Sequence, residues 1–219
     1  MYYILKNAAG TKETGSDYPQ IADMVGLYDY DVDDSIHKVA DYQGVKIPIP
    51  INFGVIKMRS KSKFSDIISA AVILGMGLIV SKRVKLILES VKLVDHEFYP
   101  LKIQHKGSIN EDYFWVHIIS DLRNEIDYSR STFFSGRSEG VRNLTFNSFH
   151  DYIKYDKEQD EFGSLRATKL FFHKDWQNDL DLFCISEFDK NIYISQTLLL
   201  LLRKNSITGF EAPLSKILI

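Results

Sequence analysis

The stretch from Gly77 to Val91 limits the folding options of this chain more than any other. Leu78, Ile79 and Val80 form a short apolar run that predicts a buried strand. Ser81 then stands where its hydroxyl can accept from an open N–H of a following helix. Beyond it Val84, Ile87, Leu88 and Val91 share one helical face, while Lys82, Lys85, Glu89 and Lys92 take the other. The unit reads as strand, serine cap and amphipathic helix, and it closes on Glu97 to Leu101, where Pro100 suits a strand edge or bulge.

The same order of roles returns near the C-terminus. Ile192 to Ile194 is apolar, Ser195 takes the place of Ser81, and Leu198, Leu201 and Leu202 align with Val84, Ile87 and Leu88. Glu211 to Leu214 echoes Glu97 to Leu101. Residues 77–103 and 191–217 are therefore a candidate internal repeat. They predict one α+β domain over residues 1–219: a mixed, largely antiparallel sheet, a few packed helices, and a repeated strand–Ser-cap–helix–strand unit.

With 219 residues, of which 45% are hydrophobic and 13% aromatic, the chain can bury a substantial core. Its 27 basic and 29 acidic residues nearly cancel, so no global field draws it to nucleic acid or to an anionic membrane. Cys184 has no second cysteine to pair with and sits in the apolar run Leu182 to Ile185, which predicts a buried thiol and suits a reducing compartment. No secretory signal pattern is evident at Met1 to Leu5, so a cytoplasmic location is expected. The apolar segment Ile67 to Val80 is shorter than the roughly 20 residues of a spanning helix. It is expected to form a buried helix, capped by Ser65 and Asp66, that turns at Gly75 and Gly77 into the Leu78 strand.

Other segments are read from their local chemistry. Tyr2 to Leu5 and Asn52 to Met58 predict strands, and the prolines of Lys46 to Ile51 keep that segment extended. Asp112 to Ile119 is rich in aromatic and β-branched residues with both faces apolar, which predicts a central strand carrying His117 as a core residue. Leu144 to Tyr155 is compatible with strand or helix. Asp181 to Ser186 and Ile192 to Ile194 predict a hairpin through Asp189 to Asn191.

Two patterns invite catalytic or metal chemistry. Asp29, Asp31, Asp33 and Asp34 suggest a calcium loop, but its required glycine and closing glutamate are replaced by Asp34 and Ala40. Gly136, Ser138 and Gly140 match the Gly-x-Ser-x-Gly pattern of a hydrolase, with Ser138 as nucleophile. That chemistry needs a strand before and a helix after, and neither is evident here. No phosphate loop, dinucleotide fingerprint or zinc pair occurs. The residues favour a binding protein without metal or cofactor over an enzyme. A self-associating scaffold is the alternative suggested by Leu198 to Leu202, which cover more than one helical face; a serine hydrolase using Ser138 is the less favoured one.

Leu78 to Ser81 with its helix, Glu97 to Pro100, Tyr113 to Ser129 with its Asp127-Tyr-Ser129 step, and the ending Ile194-Ser195 with Thr208 to Glu211 together resemble a bacterial family. That family was long catalogued as a domain of unknown function, includes a Myxococcus member, and is grouped with the immunity proteins of polymorphic toxin systems. The likeness covers about residues 51 to 219 and leaves residues 10–50 and 131–160 unmatched. It implies a non-enzymatic α+β protein that binds and neutralises a cognate toxin, often a nuclease, encoded beside it. Partner-specific surfaces lie commonly on loops, so Tyr28, Asp29, Tyr30, Asp31, Asp33 and Asp34 are candidate contacts for a basic toxin surface. Lys82 and Arg83, in the first turn of the predicted helix, are candidate anion-binding residues.

Overall fold

The computed structural model describes residues 1–25, 36–137, 140–158, 164–176, 179–185 and 188–218. In chain order the elements are β1 (Tyr2–Asn7), β2 (Ile21–Val25), a 3₁₀ segment (Ile36–Tyr42), β3 (Val55–Met58), β4 (Ile67–Ile68), β5 (Gly77–Ser81), α1 (Lys82–Leu88), β6 (His96–His105) and β7 (Ser108–Ile118). A short 3₁₀ turn follows, then β8 (Thr132–Arg137), β9 (Gly140–Leu144), α2 (Phe149–Lys157), β10 (Ser164–Lys169), β11 (Leu182–Ile185), β12 (Asp189–Ser195), α3 (Gln196–Lys204) and β13 (Phe210–Glu211). The fold is α+β, as expected.

Among the described residues three sheets carry the structure, in the orders β2-β3-β6-β7-β5-β4, β11-β12-β1-β13 and β10-β8-β9. Of their strand pairs only β3 and β6 run parallel; the others are antiparallel. The period-two alternation of the strands sorts their side chains into separate cores. Leu78, Val80, Val116 and Ile118 of the six-stranded sheet meet Leu5, Cys184, Ile192 and Ile194 of the four-stranded sheet, together with Val84, Leu88, Leu198 and Leu202 of the two helices. On the opposite face of the six-stranded sheet, Ile79, Tyr113 and Trp115 pack against Val39, Ile47 and Phe53. Tyr2, Phe183 and Tyr193 turn the other way, toward Phe133, Phe146 and Tyr152 in the region of the three-stranded sheet and α2. Each fully buried Leu, Ile or Phe contributes about 1.5–3 kcal/mol relative to exposure, so all three cores stabilise the fold.

β7 is a central strand, with β6 on one side and β5 on the other. His117 on it is fully buried, and its Nε2 lies 2.8 Å from the Val45 carbonyl. Lys46 pairs with Glu97 at 3.2 Å, so the extended segment before β3 is tied to the sheet at consecutive residues. Pro100 pairs with Phe114, outside the span of β6 that β3 covers from Lys102 onward, which is where its missing N–H costs least. Cys184 is completely buried, and β11 and β12 pair antiparallel as expected, but Asp189 to Asn191, expected as the turn, are the first residues of β12.

The helix expected from Ile67 up to the glycines is replaced by β4 and an irregular bend, while the strand expected at Leu78 to Val80 is present as β5. Ile67 pairs with Val80 and Ile68 with Ile79, while the Ile67 N–H is taken by the Thr208 carbonyl. Gly75 and Gly77 lie against the Trp115 ring: a Cβ at Gly77 would stand 2.4 Å from Trp115 Nε1, and one at Gly75 would stand 2.8 Å from Cζ2. Trp115 thus occupies the space that helical side chains would need. Ser65 and Asp66 do not cap a helix; Ser65 donates to the Ile67 carbonyl at 2.7 Å, and Asp66 serves the strand–helix junction described below. Leu144 to Tyr155 contains the end of β9 and most of α2, which is capped by Ser148 accepting from Asp151 N.

Candidate functional site: the paired serine-capped helices

Ser81 and Ser195 begin their helices in the way their position predicts. Each is extended, with Oγ accepting from the N–H three residues on: Val84 at 3.4 Å and Leu198 at 3.0 Å. Each hydroxyl also donates to a carboxylate, which fixes its orientation in the cap. Ser81 Oγ reaches Asp66 Oδ1 at 2.8 Å, and Ser195 Oγ reaches Asp181 Oδ1 at 2.5 Å. The backbone repeats the pairing, with Ser81 N donating to Asp66 O and Ser195 N to Asp181 O.

The likeness extends through both units. β4-β5-β7-β6 and β11-β12-β1-β13 have the same order and the same antiparallel senses, and Ile67↔Val80 corresponds to Leu182↔Ile194. The two acids then reach across to each other's unit. Asp66 accepts from Thr208 N and Oγ1, just after α3, and Asp181 Oδ2 accepts from Lys92 N, just after α1. The start of each helix is therefore bonded to the exit of the other, and α1 and α3 run antiparallel. Asp66 and Asp181 are absent from the sequence-based candidates. Extending the repeat backward would have found them, since each is an Asp directly before an apolar strand and faces a Ser at its far end.

Arg83 is drawn into this junction. Its guanidinium lies 3.3 Å from both Asp66 carboxylate oxygens and donates to the Asn205 carbonyl at 2.7 Å, at the end of α3. The charge near the start of α1 is thus met by a carboxylate of the chain itself. Lys82 is exposed beside it. Lys85 is turned the other way, over the Phe98 and Phe114 rings, and pairs with Glu89.

Elsewhere the environment sets the ionisation of several groups. The Tyr99 hydroxyl bonded to Glu97, with Lys46 beside it, holds the Glu97 carboxyl below its usual range. Burial, with the Asp181 and Asp179 charges, pushes the Tyr2 hydroxyl up to about 12. Among the described residues no group of three His, Cys, Asp or Glu side chains is placed to hold a metal ion.

The remaining sequence candidates fall outside this junction. Tyr28, Asp29, Tyr30, Asp31, Asp33 and Asp34 lie outside the described residues. So does Ser138, but its flanks are described: β8 and β9 are paired from Phe133↔Leu144 to Arg137↔Gly140. The strand before the pattern is thus paired with a strand after it, whereas a nucleophile elbow joins a strand to a helix. The leucine run is largely absorbed by the core, with Leu198, Leu199 and Leu202 buried and Leu200 exposed. Among the described residues no helix is long and apolar enough to cross a membrane.

These features define an α+β protein organised around two interlocked strand–helix–strand units, with its serines committed to capping. Residues 55–212 match the model of the immunity protein family Imm11, and the chain belongs to that family. No match was found among curated proteins.

Proposed function

We propose that this chain neutralises a cognate bacterial toxin, a nuclease encoded by a neighbouring gene, by binding it directly in the cytoplasm. The observation that carries this reading is the family match over residues 55–212. The antiparallel pairing of β8 with β9 on either side of Ser138, where a nucleophile elbow would run from strand into helix, supports binding over catalysis. Burial of three leucines of α3 removes most of the motive for the scaffold reading.

In this proposal the chain acts as one domain with a duplicated unit. Tyr28, Asp29, Tyr30, Asp31, Asp33 and Asp34 face the basic surface that a nucleic-acid-cleaving enzyme presents to phosphates. Lys82 and Arg83 meet an anionic group of the partner at the start of α1. Charge complementarity of this kind speeds encounter and excludes wrong partners.

The test is affinity purification of the tagged chain co-expressed with the adjacent toxin gene, followed by light scattering. A stable complex of defined stoichiometry is expected. Recovery of the chain alone, with soluble toxin in the flow-through, overturns the proposal.

A further inference from the structure

The antiparallel α1–α3 pair leaves a groove of about 330 Å³ between the helices. Leu86, Ile87, Leu201 and Ile207 supply its apolar lining, and Arg83 and Asn205 close one end. Leu86 is 60% exposed and Leu200 56%, and both stand five residues beyond their capping serine. The two interlocked units thus present equivalent bare leucines. Isolated exposed leucines need no explanation, but Leu86 lines the apolar groove itself, and such a groove marks a surface suited to association.

Basic residues gather at the end of the groove where α1 begins and α3 ends: Lys82, Arg203 and Lys204 are exposed there, while Arg83 pairs with Asp66, and Glu89, which follows α1, pairs with Lys85. Lys82 lies one helical turn before Leu86 and Lys204 one turn after Leu200, so each basic residue shares a face with a leucine. A second copy of the chain offers this basic end no unpaired carboxylate from the same face, since Asp66 is paired with Arg83 and Glu89 with Lys85, which disfavours self-association. A partner with carboxylates flanking an apolar side chain fits both features.

We propose that this groove receives an acidic segment of the cognate toxin, with a protruding apolar side chain seated between Leu86, Ile87 and Leu201. The proposal rests on the immunity reading above and deepens it by assigning a contact surface distinct from the acidic segment at residues 28–34. The leucines provide the desolvated anchor and the basic rim provides steering.

The experiment titrates the toxin obtained by co-purification against three versions of the full chain: wild type, Leu86→Asp with Leu200→Asp, and Lys82→Glu with Lys204→Glu. Circular dichroism and urea unfolding verify that each is folded, and all four positions are exposed. The aspartate variant is expected to lose at least about 30-fold in affinity. The glutamate variant is expected to associate more slowly, with less dependence on salt. Equal affinity of all three overturns the groove assignment and leaves the immunity function standing, whereas no binding by wild type overturns both. A wild-type dimer that the aspartate variant converts to monomer overturns the proposal in favour of a second copy.

Discussion

Asp66 and Thr208 meet across 142 residues of chain and exchange three hydrogen bonds: Asp66 N to Thr208 Oγ1 at 3.0 Å, Thr208 N to Asp66 Oδ2 at 3.1 Å, and Thr208 Oγ1 to the same oxygen at 3.0 Å. The other carboxylate oxygen takes the Ser81 hydroxyl. One buried acid therefore holds the entry of α1 and the exit of α3 together. Asp66→Ala leaves the Thr208 and Ser81 donors without that acceptor, and a loss of about 2–4 kcal/mol is expected. Urea unfolding checks it; a loss under about 0.5 kcal/mol, typical of a plain surface position, contradicts the role.

Gly209 follows Thr208 with φ +87°, and a Cβ there would stand 2.0 Å from the Ile67 carbonyl oxygen and 2.6 Å from Ser65 Oγ. Gly107, in the β6–β7 turn, has nearly the same φ of +86° but nothing within 4 Å of its Cβ position. Alanine at Gly107 pays only the left-handed backbone penalty of about 1–2 kcal/mol. Alanine at Gly209 adds a clash with the backbone of β4. Thermal unfolding of the two variants is expected to place Gly209→Ala well below Gly107→Ala, and equal melting temperatures would exclude the close approach.

Alkaline stability follows from Tyr2. The folded state keeps the hydroxyl proton up to about pH 12, while the unfolded chain releases it near the ordinary value of 10.0. The native state binds more protons in that window, so stability falls as pH rises through it. Tyr2→Phe removes this contribution and is expected to flatten the decline in unfolding free energy between pH 10 and 12. Tyr99, Tyr113 and Tyr193 are also raised, chiefly by burial, so some decline persists. An unchanged slope in the variant contradicts the assignment.

Changing Asp29, Asp31, Asp33 and Asp34 together to serine is expected to weaken toxin binding and to reduce its dependence on salt, since the proposed contact is electrostatic. Isothermal titration at two ionic strengths measures both effects. Unchanged affinity and salt slope would remove this segment from the interface.

Local chemistry made the serine caps, the central aromatic strand, the buried Cys184 and the β11–β12 pairing legible, because each is specified by neighbours close in sequence. The segment from Ile67 up to Gly75, expected as a helix, shows where that stops. Its apolar composition suits helix or buried strand, and the choice is made by Trp115 against Gly75 and Gly77 and by Thr208 taking the Ile67 N–H. The roles of Asp66 and Asp181 are hidden for the same reason: their partners Thr208 and Lys92 arrive from the other unit. The likeness of Ser81 and Ser195 was visible, but the exchange of contacts between the two units was not. Arg83 illustrates the consequence for the site, since its pairing with Asp66 and Asn205 cannot be read from the first turn of a helix.

Growth rescue is the most direct measurement of the central claim. Cells induced to make the toxin of the neighbouring gene are predicted to survive when this chain is co-expressed, and Ser138→Ala is predicted to protect them equally. Cell death despite abundant, folded chain would contradict the neutralising function, and loss of protection in Ser138→Ala with binding intact would contradict protection by binding alone.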